Sequence, residues 1–426
     1  MNRLLHLFLA VATALVLATG AAADAPRFLV ESISIDGARW SAPRILIAES
    51  KLVPGRTYTE AELHDALLRV QRLPFVLHAD LRLQRGTERG KYVVVIAVEE
   101  TKPVFISYRS LFEAIDTQRL VGLLRDPETG QFIPILEKEL FRHNEETPSI
   151  GARAFVGAKG VVSASVDLRG DDTYTLGYTQ YDLFGTRASA ALFVKYHGYG
   201  FDLPDVFDAR GRRTTSFSDH LVWDFTGALP LAGNHAIRLS WHRERQPYQV
   251  NPFGDLQVVR ITYDHPQLAW VYNSTNDLLL PTSGTYIEAG LDSKKLTILR
   301  ETDPVPPRTA AHYRSEYRWD HELAAQARRY WELSPSQSIS AGASGFTLER
   351  HKYQQYQLQA MYSAELFEGR RASRLGDVRF ELEADRNLLH YSDHSSYGTL
   401  RAGLALRNAW GIARLDFQYL GWRHRP

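Results

Sequence analysis

The sequence predicts an α+β module of order β-α-α-β-β over residues 24–102, followed by an antiparallel transmembrane β-barrel of about 12–16 strands over residues 151–426. Three observations predict it. Residues 1–23 carry the pattern of an export leader. A capping box opens an amphipathic helical stretch between strand-like runs in residues 27–102. From about Val161 onward the apolar residues alternate with charged ones at a period of two.

The leader has Arg3 as its positive end, an apolar Leu4–Ala18 interrupted by His6 and Thr13, and small residues at Gly20–Ala23. Cleavage is expected before Asp24. The apolar core is shorter than the ~20 residues a spanning helix needs. Export is therefore the reading, and the flanks look bacterial. The chain has no cysteine, which removes disulfides, thiolate metal sites and thiol catalysis together. Its 50 basic and 49 acidic residues leave no basic footprint, so no nucleic-acid partner is expected.

In the module, Phe28–Ile35 alternates and ends at Asp36-Gly37, a strand and its turn. Ser41–Lys51 reads as a short helix broken by Pro54-Gly55. Thr59 caps a second helix, with Glu62 completing the capping box. Leu63, Ala66, Leu67 and Val70 make its buried face. Val76–Gln84 and Lys91–Glu99 are two closing strands joined by a turn with Gly86 and Gly90.

On Ile33-Ser-Ile-Asp-Gly37, Leu52-Val-Pro-Gly55, Tyr58-Thr-Glu-Ala-Glu-Leu63 and Leu73-Pro-Phe-Val76, this unit resembles a POTRA domain, present in a single copy. The resemblance implies a periplasmic module that captures an extended client or partner polypeptide by strand addition. The candidate client-binding residues lie on the second strand: Leu77, Ala79, Leu81 and Leu83. Residues 103–150 are left open between a linker, a degenerate second module and a segment inside the pore.

In the barrel region, Val378, Phe380, Leu382 and Ala384 oppose Arg379, Glu381, Glu383 and Asp385. Ile237, Leu239 and Trp241 oppose Arg238, Ser240 and His242. Tyr313, Tyr317 and Trp319 oppose Arg314, Glu316 and Arg318; Leu400, Ala402 and Leu404 oppose Arg401; Ala413, Leu415 and Phe417 oppose Arg414 and Asp416. Repeated over ~10-residue segments, this alternation is the signature of a membrane barrel with apolar residues toward lipid. Arg238, Arg314, Glu316, Arg318, Arg379, Glu381, Glu383, Arg401, Arg414 and Asp416 are the candidate lumen charges. A soluble β-sandwich is the competing architecture. Short turns at Leu183–Thr186, Leu231–Asn234, Leu280–Gly284 and Asn408–Gly411 alternate with long loops, which places the short turns and the module on the periplasmic side of an outer membrane. Thirteen strands are readable, from 161–169 to 412–422, with Gly151–Gly157 the candidate for one more.

Tyr181-Asp-Leu-Phe-Gly-Thr186, Leu280-Pro-Thr-Ser-Gly-Thr-Tyr286 after Asp277, and Leu400–Arg407 running into Gly411–Phe417 resemble the BamA/TamA-type superfamily of outer-membrane assembly and secretion proteins. The family's Arg-Gly-Phe/Tyr loop tip has no counterpart in Phe346–Gln354, and the chain stops at Trp422-Arg-His-Arg-Pro426. With a last strand apparently lost, residues 410–422 are expected at an incompletely paired seam with residues 161–169.

The resemblance implies an assembly or translocation protein. A passive barrel with a docking module, or a lipid-active barrel enzyme, are the alternatives. No nucleophile elbow, phosphate loop, dinucleotide fingerprint or zinc motif is present, so no enzyme activity, catalytic residue, metal or cofactor is expected. His390 and His394 have helical ligand spacing but sit in a polar loop.

Overall fold

The structure of the chain, a computed structural model, describes residues 26–423 apart from 117, 126–131, 139–141, 169–172, 187, 208–212, 232, 251–256, 278–279, 303–310, 317–319, 349–352, 367–376 and 391–395. The export leader expected over residues 1–23 lies outside the described residues.

The N-terminal unit runs β1 (Arg27–Asp36), α1 (Pro43–Ser50), β2 (Thr57–Thr59), α2 (Glu60–Gln71), β3 (Val76–Arg85) and β4 (Lys91–Glu100). The short β2 is an addition to the β-α-α-β-β order; it pairs Phe28 with Tyr58 along the outer side of β1. The sheet order is β2-β1-β4-β3, with β1 and β4 parallel. The capping box at α2 is formed. The Thr59 hydroxyl accepts from the Glu62 amide at 3.2 Å, and the Glu62 carboxylate accepts from the Thr59 amide at 2.7 Å. Each satisfies a backbone donor that the helix start leaves open. Val30, Ile45, Leu46, Leu63, Ala66, Val70, Phe75, Val94 and Ile96 form one buried core, with Leu67 packed against it.

The remaining strands are β5 (Val104–Asp116), β6 (Gln118–Arg125), β7 (Phe132–Lys138), β8 (Arg142–Val156), β9 (Gly160–Asp167), β10 (Thr173–Leu183), β11 (Ala188–Phe207), β12 (Arg213–Pro230), β13 (His235–Val250) and β14 (Gln257–Asn273). They continue as β15 (Gly284–Thr302), β16 (Ala311–Glu316), β17 (Asp320–Ser334), β18 (Gln337–Leu348), β19 (Tyr353–Glu365), β20 (Asp377–His390), β21 (Ser396–Asn408) and β22 (Gly411–Arg423). All but β6 and β7 join one sheet, which closes on itself because β14 pairs with β15. β16 and β17 lie against the outer and inner halves of β15 and act as one interrupted strand. The result is a closed barrel of 15 strands. Closure excludes the two-sheet sandwich.

An odd strand number has a topological consequence. Up-and-down neighbours alternate in direction, so an odd ring must contain a parallel pair. That pair is β5 and β22. The thirteen readable strands fell short because residues 103–150 were not read as wall. Here Val104–Asp116 is the first wall strand, and Gly151–Val156 is the inner end of the second, β8, with Gly157 in the turn after it. Between them β6 and β7 pair as a hairpin that continues the β5–β8 ribbon.

Side-chain alternation gives the wall two unlike faces. Leu382 and Phe417 are 39% and 54% exposed on the outside. Their neighbours Glu381, Glu383 and Asp416 are buried within. A water-soluble barrel would have the reverse arrangement; apolar outside and polar inside is that of an outer-membrane barrel. Among the described residues no helix is long and apolar enough to cross a membrane.

Candidate functional site: the parallel seam and the docked module

At the seam, β22 and β5 stay in register from Gly411 opposite Ile106 to Gly421 opposite Asp116 without a shift. The Ile106 amide donates to the Trp410 carbonyl, and the Lys102 amide to the Ala409 carbonyl, each at 2.7 Å. Gly411 makes this approach possible. Its φ is +147°, and a Cβ there would lie 1.8 Å from the Ile106 carbonyl oxygen. β9 is not the seam partner expected for residues 410–422. It stands between β8 and β10, and β5 and β8 separate it from β22. The segment after the module supplies the closing edge.

Ion pairs line the lumen. Glu383 binds Arg328 at 2.7 Å and also pairs with Arg401. Arg414 pairs with Glu381 and approaches Asp416 at 3.8 Å. Asp416 is 1% exposed, and Gly403 opposite makes room: a Cβ there would sit 2.2 Å from the Asp416 carboxylate. Arg238 pairs with Glu288, which also accepts from Gln326 at 3.0 Å. Arg379 lies half-buried on β20. Arg314 and Glu316 fall on β16, where only the backbone is described, and Arg318 lies outside the described residues. Further round, Asp224 contacts His242 at 2.5 Å, and His265 pairs with Asp292. A cavity of about 400 Å³ opens beside these histidines. Among the described residues no cluster could hold a metal ion, and the His390–His394 pair ends outside them.

The module is docked on the short-turn end of this wall. Phe75 enters the junction, with its ring edge-on to Phe155 at 5.1 Å and to Tyr181 at 6.2 Å. Arg72 donates to the Asn273 carbonyl at 2.7 Å and the Thr275 carbonyl at 3.1 Å. Asn234 donates to Asp65 at 2.9 Å, and Arg153 to the Pro74 carbonyl at 3.3 Å. Arg407 of β21 donates to the Val76 carbonyl at 3.1 Å and pairs with Asp277. Burial pushes the Arg72 guanidinium down to about 10, with Arg69 adding to the effect. Burial also raises the Glu49 carboxyl, against the pull of Lys51, Arg72 and Arg69.

These contacts fix which part of the module stays open. β3 is an edge of its sheet. Its entry, Pro74–Val76, is held by Arg153, Arg407 and the Thr101 amide. Of the candidate client-binding residues on β3, Ala79 is buried in the module core, Leu81 and Leu83 pack against it, and Leu77 is half-buried beside a register shift. Those side chains build the module. What β3 has to offer beyond it is backbone. The dock itself was not legible as a site: Arg72 and Arg153 carry no spacing signal, and Phe75, Tyr181, Asn234, Asp277 and Arg407 fell within quoted motifs or turns without any sign that they meet.

No family model matches the chain, and no curated protein does. Solved structures are similar in outline. BamA from Haemophilus ducreyi lacking POTRA domains 1–3 is 12% identical, with a TM-score of 0.43 over 94% of this chain and 82% of that one. CdiB from Acinetobacter baumannii is 9% identical, with a TM-score of 0.45 over 89% of this chain and 61% of that one. CdiB from Escherichia coli is 12% identical, with a TM-score of 0.33 over 89% and 70%. The barrel assignment rests on the chain's own strand pairing.

Proposed function

We propose that this chain is an outer-membrane protein of the assembly or translocation type. Its POTRA-type periplasmic module adds an extended client or partner segment to the free edge of β3, and its barrel inserts or passes that segment. The observation that carries the reading is the division of β3. Pro74–Val76 is fastened to the barrel mouth, while the rest of the strand keeps one edge without a partner strand among the described residues. A strand presented beside a barrel mouth binds through main-chain hydrogen bonds and tolerates many sequences. The parallel β5–β22 pair adds to this, since parallel pairing is slightly weaker per residue than antiparallel pairing.

One observation favours the second reading, a passive barrel with a docking module: the seam is fully paired. The two readings separate in vesicles carrying the full-length protein. An unfolded eight-stranded outer-membrane barrel added to them should fold faster than in vesicles carrying an unrelated barrel, as read by heat-modified gel mobility. Equal rates would leave the passive reading.

A further inference from the structure

We propose that the module has a membrane-contact surface of its own, formed by Arg39, Trp40, Arg44 and Ile47 at the start of α1, and that it rests on the phospholipid headgroups of the periplasmic leaflet. This goes beyond client capture and does not depend on it.

The placement follows from backbone contacts. The amides of Arg39, Trp40 and Ser41 all donate to the Glu100 carboxylate, at 2.8, 2.7 and 3.0 Å. Glu100 ends β4, and the wall begins at Val104. Between them the Lys102 ammonium lies 5.9 Å from the centre of the Trp410 ring. The Trp40 backbone is therefore tied to the barrel rim beside the seam. From there α1 runs to β10, against which it packs. In the wall, β8 and β9 separate β5 from β10, so α1 follows the rim along this arc.

The helix has two unlike sides. Ile45, Leu46 and Ser50 are buried. Arg44 and Ile47, three apart, lie on the other side, and Trp40 belongs to the bend that leads into the helix. Trp40 is 47% exposed, and Arg39 and Arg44 are exposed without an ion-pair partner among the described residues. Trp and Arg together suit an interface where the ring sits at headgroup level and guanidinium groups meet phosphate. The surface also continues an existing belt. Val104, Ile106 and Trp410, the last 52% exposed, are outward residues of the same rim. A protein partner would need a surface matched to this arc. An anionic leaflet already borders the rim and complements both arginines.

The cysteine-free chain makes the test direct. Trp40→Cys in the full-length protein is labelled with an environment-sensitive fluorophore, and Gln84→Cys on exposed β3 serves as the distant control. Both are reconstituted in vesicles of phosphatidylethanolamine and phosphatidylglycerol with nitroxide-labelled lipid. The label at 40 should be blue-shifted and lose emission to the nitroxide, while the label at 84 should not. Adding Arg39→Glu and Arg44→Glu should reduce the loss at 40 while hydrogen exchange of residues 72–76 stays unchanged, which shows the module still docked. Equal, weak quenching at 40 and 84 would overturn the proposal and leave this face in water or against a protein.

Discussion

Arg407 and Asp277 form an ion pair across the short-turn mouth of the barrel. Arg407 belongs to β21, and Asp277 to the connection from β14 to β15. Going round the wall, β17, β18, β19 and β20 stand between β15 and β21. The pair exists because the connection folds inward, burying Asp277 and Leu280. The same guanidinium holds the Val76 carbonyl. One arginine thus ties the wall, the inward connection and the module together.

Removing that guanidinium should undock the module. Losing one partner of a buried ion pair typically costs ~3–5 kcal/mol, because the other charge stays behind without compensation. In Arg407→Ala, hydrogen exchange at residues 72–76 should rise sharply while the barrel keeps its heat-modified mobility. Unchanged protection would show that Phe75 and Arg72 hold the module without this pair.

Gly411 should be intolerant of any side chain. Gly411→Ala forces a Cβ against the Ile106 carbonyl in a backbone conformation that L-residues rarely adopt. Gly398→Ala, whose nearest neighbour would be 3.5 Å away, is the matched control. The unfolding midpoint in heat-modified gels should drop for the first and barely move for the second. Matching midpoints would mean β5 does not pack on Gly411.

The two faces of β20 should respond unequally. Leu382→Arg places a charge in lipid at a cost of ~2–4 kcal/mol near the midplane. Glu381→Gln leaves Arg414 with Asp416 nearby and should be the milder change. Similar losses in the two variants would contradict the assigned faces.

The dock should weaken as pH rises from about 4 toward neutrality. Glu49 has a raised carboxyl in the folded chain, so the folded state holds this proton more tightly than the unfolded one. Its stabilisation is full below the ordinary carboxylate range and is lost as pH climbs through the raised value. Protection of residues 41–50 from hydrogen exchange should follow that course, after correction for the intrinsic rate, and Glu49→Gln should flatten it. A flat wild-type profile would remove Glu49 from the balance.

What the sequence made legible follows from period and range. Val378–Asp385 and Ala413–Phe417 alternate cleanly because one face meets lipid and the other meets paired charge. Thr59 and Glu62 lie within one helical turn, so their capping box is a local signal. Val104–Asp116 and Arg142–Val156 were hidden because Ser107-Tyr-Arg-Ser110 and His143-Asn-Glu-Glu146 blur the period with polar residues on both parities. The parallel closure was illegible for a different reason: one of the two unseen strands, β5, is itself the seam partner of β22, so neither the partner nor its direction could be read. The dock joins residues up to 331 positions apart, as between Arg407 and Val76, and no local pattern encodes such a pairing.

The most direct measurement is disulfide trapping at the seam in intact membranes. Ser107→Cys with Ile412→Cys pairs two registered residues of β5 and β22. Ser163→Cys with Ile412→Cys joins β22 to β9 instead. Neighbouring strands bring Cα atoms within the 4.4–6.8 Å a disulfide needs, and strands separated by two others do not. The parallel 15-strand closure predicts efficient crosslinking of the first pair and none of the second. Crosslinking of the second pair without the first would contradict it.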